Sequence, residues 1–243
     1  QHAYLTEAEC NKLFELGIKR INGRAKVTAQ TSALNQDEVI RRSKAAQDLG
    51  ADALMILPVS YWKLTDREIA QHYASVSAAV DLPIMAYNNP ATSGIDMTPE
   101  LLVQMFTDID NVTMVKESTG DLNRMLRITE LSGGTLPFYN GSNPLVLDAL
   151  NAGASGWCTA APNLRPQPCL DLYAAVRAGD QDRAQAIYDD LAPLLRFIVA
   201  GGLPTTVKAG LDLLGRPVGE PRPPLLPLGT EDRDTLRAML VDA

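Results

Sequence analysis

The sequence predicts an α/β protein, a (β/α)8 TIM barrel with extra helices at its C-terminal end, and three observations carry that reading. Short apolar runs start near residues 26, 53, 83, 112, 136 and 156, and a helical pattern follows each, so βα units recur every 20–30 residues. No Gly-x-Gly-x-x-Gly turn and no Walker-type loop follows any of these runs, which disfavours a doubly wound nucleotide-binding sheet. The chain has 243 residues, and a barrel of eight units occupies about 250. Only six strands precede residue 160, and the chain opens on a turn that leads straight into a helix. The first strand, first helix and second strand are therefore expected to be absent, roughly 45 residues or more at ~30 per unit. On that expectation the strands starting near 26 and 156 do not pair. Residues 1–164 are read as the partial barrel and 165–243 as a helical region packed on it.

Each element has a local cause. Thr6-Glu7-Ala8-Glu9 is a capping-box arrangement, so a helix is expected over 6–21 with Leu13, Leu16 and Ile21 on its apolar side. A strand over 26–31 leads to a helix over 36–49, which Gly50 ends. Strands over 53–57, 83–87, 112–116, 136–140 and 156–160 then alternate with helices over 65–80, 98–106, 121–131 and 144–152. Beyond Arg165 helices are expected over 168–178, 181–199 and 205–214, with a last one capped by Thr230-Glu231-Asp232. The prolines of 217–227 exclude helix and sheet interior, so that stretch is an extended connection.

Composition limits the function. A formal charge of -7 without a lysine or arginine run argues against nucleic acid or an anionic membrane as partner, and points to a small-molecule ligand. No run reaches membrane-spanning length and no signal-peptide pattern opens the chain, so a soluble protein is expected. Cys10, Cys158 and Cys169 are too few and too scattered for a disulfide framework or a zinc pattern, which suggests a reducing cytoplasm. A metal-dependent aldolase would need clustered histidines and carboxylates; the chain holds only His2 and His72, and no metal site is expected.

The chemistry centres on Lys116. Val112, Met114 and Lys116 share one strand parity, and Thr113 and Val115 the other. In a sheet buried on both faces, apolar surroundings disfavour an ammonium, and a neutral lysine is an amine able to form a Schiff base with a carbonyl. Alternatively Lys116 lies past the strand end, paired with Glu117 or another carboxylate. Tyr87 ends the preceding strand and is followed by a polar loop, Asn88-Asn89-Pro90-Ala91-Thr92-Ser93-Gly94, that could close over a substrate. A tyrosine beside such a lysine can carry protons to and from the carbinolamine; otherwise its ring caps the barrel interior.

Tyr87-Asn88-x-Pro90, Lys116-Glu117-x-Thr119-Gly120-Asp121 in the next unit, and Gly50-Ala51-Asp52-Ala53 before the Pro58 strand end together resemble the dihydrodipicolinate synthase and N-acetylneuraminate lyase family of class I, pyruvate-type lyases. The resemblance runs from Gln1 to the last helix. It implies that Lys116 forms an imine with a 2-oxo acid such as pyruvate, that Tyr87 transfers protons, and that no cofactor is needed. It also implies a homotetramer built as a dimer of dimers.

Further correspondences are uneven. Gln1 stands where the family's Gly-[Thr/Ser]-[Thr/Ser]-Gly segment is usually followed by glutamate. Tyr61 resembles a tyrosine that in synthases crosses a dimer contact into the proton relay, and Ser60 replaces its companion tyrosine. Thr92 replaces the arginine that in true synthases binds the second substrate's carboxylate. Asn140-Gly141-Ser142-Asn143-Pro144 replaces a Gly-Asp-Asp segment with neutral polar groups suited to hydroxyls. Cys158, beside Trp157, either lines the pocket or is a small buried thiol. The substrate-binding candidates are thus Tyr61, Thr92, Ser93, Asn140, Gly141, Ser142 and Cys158.

The function expected is a metal-independent lyase acting on a 2-keto-3-deoxy sugar acid. Dihydrodipicolinate synthase proper, a 2-keto-3-deoxy acid dehydratase and a non-catalytic sugar-acid-binding homologue are the alternatives.

Overall fold

The structure, a computed structural model, describes residues 2–240; Gln1 and its expected place beside a carboxylate-binding segment lie outside them. The chain divides into two compact units, His2–Tyr139 and Asn140–Ala243. Six parallel-type βα strands run in the hydrogen-bonded order β1-β2-β3-β4-β5-β6, the sequential order that right-handed βα crossovers generate. β1 and β6 are the two end strands of that order and do not pair with each other, as the sequence led us to expect.

In the first unit Thr6 caps α1 (Glu7–Ile21): its hydroxyl takes the Glu9 N–H at 3.3 Å while the Glu9 carboxylate takes the Thr6 N–H at 2.9 Å. β1 (Thr28–Gln30) is followed by α2 (Gln36–Asp48), capped by Asn35, and Gly50 then turns the chain with φ +92°. β2 (Ala53–Ile56) leads to α3 (Asp66–Ser77), opened by a second capping box between Thr65 and Glu68. β3 (Ile84–Asn88), the single turn α4 (Pro90–Ser93), α5 (Pro99–Asp108), β4 (Val112–Glu117) and α6 (Leu122–Leu131) complete the series. β5 (Phe138–Asn140) ends at the unit boundary.

The inner strands bury one face completely, where Leu54 and Ile56, Ile84 and Ala86, and Val112 and Val115 are all solvent-excluded, while the other face, with Met55, Tyr87, Met114 and Lys116, is only half-buried. Each valine, leucine or isoleucine side chain removed from water in this way contributes ~1.5–3 kcal/mol. Tyr73 of α3 is fully buried, and its hydroxyl donates to the Ile56 carbonyl at 2.7 Å, so the helix is fastened to the end of β2. Burial pushes the Tyr73 phenol far up.

β3 and β4 meet at an irregular register. Ile84 faces Val112, but Met85 faces Met114, so Thr113 is an extra residue, a bulge in β4. This corrects the expected parity. Val112 follows Ile84, while Met114 and Lys116 lie on the face of Met85 and Tyr87.

In the second unit a 3-10 turn, Asn143–Leu145, precedes α7 (Val146–Asn151), where one helix over 144–152 was expected. β6 is only Gly156–Trp157. The Thr159 hydroxyl donates to Asn143 Oδ1 at 2.5 Å and accepts the Ala161 N–H at 3.1 Å, which starts the 3-10 turn Ala161–Asn163 in place of more strand. α8 (Pro166–Arg177), α9 (Gln181–Ala200), α10 (Leu203–Leu213) and α11 (Thr230–Leu240) follow.

Two other expectations are corrected. β1 is shorter than 26–31 because the Asp52 carboxylate takes Lys26 Nζ at 2.7 Å and the Val27 N–H at 2.8 Å, fastening that stretch through a side chain. The apolar side of α1 has the expected period, yet Leu13 and Leu16 are exposed and only Cys10 is buried. No helix of the described residues is long and apolar enough to cross a membrane.

Candidate active site

The bulge at Thr113 sets Tyr87 opposite Lys116 and Asn88 opposite Glu117 at the carboxyl ends of adjacent parallel strands. Lys116 Nζ lies 3.9 Å from the centroid of the Tyr87 ring. Lys116 is half-buried inside β4, not past its end, and among the described residues it has no ion pair. Glu117 cannot be its partner, since successive residues of a strand point to opposite faces. Its fully buried carboxylate instead takes Asn88 Nδ2 at 3.0 Å and the Thr119 N–H at 2.7 Å.

Asn89 Nδ2 donates to the Tyr87 hydroxyl at 2.9 Å. The bond uses an oxygen lone pair, so the phenolic proton stays free for transfer. The stretch after Tyr87, expected as a polar loop, is ordered: Asn88 completes β3, Pro90–Ser93 forms α4, and Gly94 ends it with φ +71°. Ser93 Oγ lies 3.2 Å from the Asn89 carbonyl and 3.1 Å from the Ile95 carbonyl and N–H, so its hydrogen bonds serve the turn. Thr92 is exposed on α4. Tyr61 is 83% exposed and packs edge-on against Trp62 at 5.2 Å.

In the second unit Asn140 is buried, and its amide is absorbed by a turn. Nδ2 donates to the Ser142 carbonyl at 2.7 Å and Oδ1 takes the Ser142 N–H at 3.0 Å, across Gly141. The Asn140 carbonyl accepts the Cys158 N–H at 2.8 Å. Cys158 is half-buried, whereas Cys10 and Cys169 are buried; burial raises the Cys10 thiol and pushes Cys169 up to about 11. Alkylation near pH 8 is therefore expected to label Cys158 first, read by peptide mass. Equal labelling of all three would mean that the helices carrying Cys10 and Cys169 open readily.

Asn88 and Glu117 were missed as partners. The signal was present: Tyr87-Asn88 and Lys116-Glu117 are two parallel dipeptides, each with one residue per face.

These features define an α/β protein of sequential parallel βα units that sets a lysine amine against a tyrosine ring where two neighbouring strands end. The sequence pattern of the dihydrodipicolinate synthetase family matches residues 2–243, and the chain belongs to that family. It is 33% identical over 232 residues to 4-hydroxy-tetrahydrodipicolinate synthase 1 of Halalkalibacterium halodurans, covering 96% of this chain and 78% of that one. A crystal structure from Pseudomonas aeruginosa, provisionally described as a dihydrodipicolinate synthetase, superposes with a TM-score of 0.96 at 48% identity, covering 98% and 82%. The dihydrodipicolinate synthase of Acinetobacter baumannii, solved complexed with pyruvate, superposes with a TM-score of 0.95 at 29% identity, covering 100% and 83%.

Proposed function

We propose that the chain is a class I lyase in which Lys116 forms a Schiff base with a 2-oxo acid, and that pyruvate is the substrate or product common to its reactions. The contact of Lys116 Nζ with the Tyr87 ring at the ends of β4 and β3 is the observation that carries this reading. The amine attacks the keto carbon, and the carbinolamine loses its hydroxyl as water with a proton supplied by Tyr87. The iminium nitrogen then accepts the electron pair released when a C3 proton or the C3–C4 bond leaves, giving an enamine. Reprotonation and hydrolysis return the free amine.

Exposed Thr92 supports a 2-keto-3-deoxy sugar acid as the longer substrate, because a neutral hydroxyl stands where a carboxylate-binding arginine would serve a synthase. The relatives' names favour a second reading, 4-hydroxy-tetrahydrodipicolinate synthesis. Tyr61, Thr92, Ser93, Gly141, Ser142 and Cys158 remain the substrate-contact candidates, with Asn140 shaping its turn.

The finer architecture belongs to the same proposal. The six strands are part of an eight-stranded barrel, with the helices from 165 onward as an addition to it. The protein works as a cytoplasmic homotetramer. The superposition on synthase structures over nearly the whole chain supports the barrel.

The test is borohydride reduction in the presence of pyruvate, followed by a panel of 2-keto-3-deoxy acids with pyruvate release as readout. A stable adduct on the Lys116 peptide is expected. A binding protein without catalysis would take no covalent mass, and a synthase would turn over none of the panel.

A further inference from the structure

Glu117 lies one residue past Lys116, on the opposite face of β4, and is fully buried. A buried carboxylate needs partners, and all of its partners sit where the strands end. Asn88 of β3 and the Thr119 N–H bond it, and Arg124 Nε of α6 stands 3.6 Å from its Oε2. Asn88, also fully buried, takes the Met97 N–H on Oδ1 at 3.0 Å and the Ser118 N–H on its carbonyl at 2.9 Å. Its Nδ2 also lies 3.2 Å from Asp96 Oδ1. Arg124 closes the circuit, donating to Asp96 Oδ1 at 2.7 Å and to the Met97 carbonyl at 2.6 Å. Four side chains from β3, β4, α6 and the connection before α5 thus form one ring, on the face away from the Lys116–Tyr87 contact.

We propose that Glu117 is a positioning residue for Lys116: its ring fixes the ends of β3 and β4 against each other, so that the amine is held over Tyr87. The inference rests on the reading of Lys116 as the imine-forming amine. Its physical basis is that Tyr87 and Lys116 share backbone with Asn88 and Glu117, so a shift of either ring member displaces the neighbouring reactive group. Misplacement of about 1 Å can cost on the order of 10²-fold in rate. A carboxylate is required because each of its oxygens takes an N–H, from Thr119 and from Asn88, and the Arg124 guanidinium stands beside it as an ion-pair partner at 3.6 Å. In Glu117→Gln an amide N–H₂ replaces one acceptor oxygen and faces a donor.

The experiment measures the rate of borohydride-trapped adduct at Lys116 against pyruvate concentration, in the wild type, Glu117→Gln and Asp96→Ala, each checked as folded by circular dichroism at the assay temperature. Glu117→Gln is expected to trap about 10-fold or more slowly, with the half-saturating pyruvate concentration little changed. Asp96→Ala, at the half-exposed rim of the ring, should fall in the same direction. A residue that only stabilised the fold would lower the melting temperature and leave the trapping rate of the folded protein untouched, so wild-type rates overturn the proposal. Should Glu117→Gln fail to fold, Asp96→Ala decides by the same criterion. A wild type that takes no adduct overturns the imine reading and this inference with it, an outcome distinct from normal trapping in the variants.

Discussion

Lys116→Ala abolishes adduct formation and turnover and leaves the fold intact. The variant removes the only group in the strand-end contact that can become an imine nitrogen, so the loss should be complete within detection. The fold survives for an electrostatic reason. Removing one member of a buried ion pair costs ~3–5 kcal/mol because the other charge is stranded, but Lys116 has no ion pair among the described residues. Borohydride trapping, turnover and a thermal melt check the three parts. An alanine variant that still traps pyruvate would transfer the role to another amine. Lys63 is exposed, and Lys208 already donates to the Val218 and Glu220 carbonyls at 3.2 and 2.9 Å, so Lys63 would be tested first.

Tyr87→Phe separates the ring from its hydroxyl. The ring under Lys116 Nζ remains, so the amine keeps its neighbour and still forms the imine, more slowly. Turnover is expected to fall by roughly 10²–10⁴-fold, the range for a lost general acid-base group. Stability should change by only about 0.5–1.5 kcal/mol, since a single neutral hydrogen bond from Asn89 is lost. Turnover equal to wild type would reduce Tyr87 to a packing role.

The parts legible in the sequence are those with local causes. The Thr6–Glu9 capping box was readable because donor and acceptor lie three residues apart, as was the glycine after α2; the Thr65–Glu68 box has the same spacing and was passed over. Strand ends were misjudged wherever a distant side chain decides them: Asp52 fastens Val27, and Thr159 turns away to Asn143. Lys116 and Tyr87 were found because each ends an apolar run. Their actual contact was not derivable, because strand register is a nonlocal property and the bulge at Thr113 carries no motif of its own. The parallel dipeptides hinted at the Asn88–Glu117 pair, but the rest of its ring was hidden, because Asp96 on the connection before α5 and Arg124 on α6 are 28 residues apart. Asn140 was read as a hydroxyl-binding group from its polarity, and the structure spends both of its amide atoms on a turn.

Thr113 makes the chemistry depend on a count. Numbered straight on from Ile84 and Val112, Tyr87 would meet Val115 and Asn88 would meet Lys116. The extra residue moves that alignment on by one, so the phenol meets the amine and the carboxamide meets the carboxylate. Substitutions at Thr113 leave this arithmetic untouched. Loss of Thr113 would likewise preserve it, because with that residue gone Met85, Ala86, Tyr87 and Asn88 meet Met114, Val115, Lys116 and Glu117 in an unbroken ladder; what the pairing needs is that Thr113, where present, stays looped out of β4. The register of the two motifs therefore rests on the bulge itself: a slip that drew Thr113 into the ladder would bring Val115 to Tyr87 and Lys116 to Asn88.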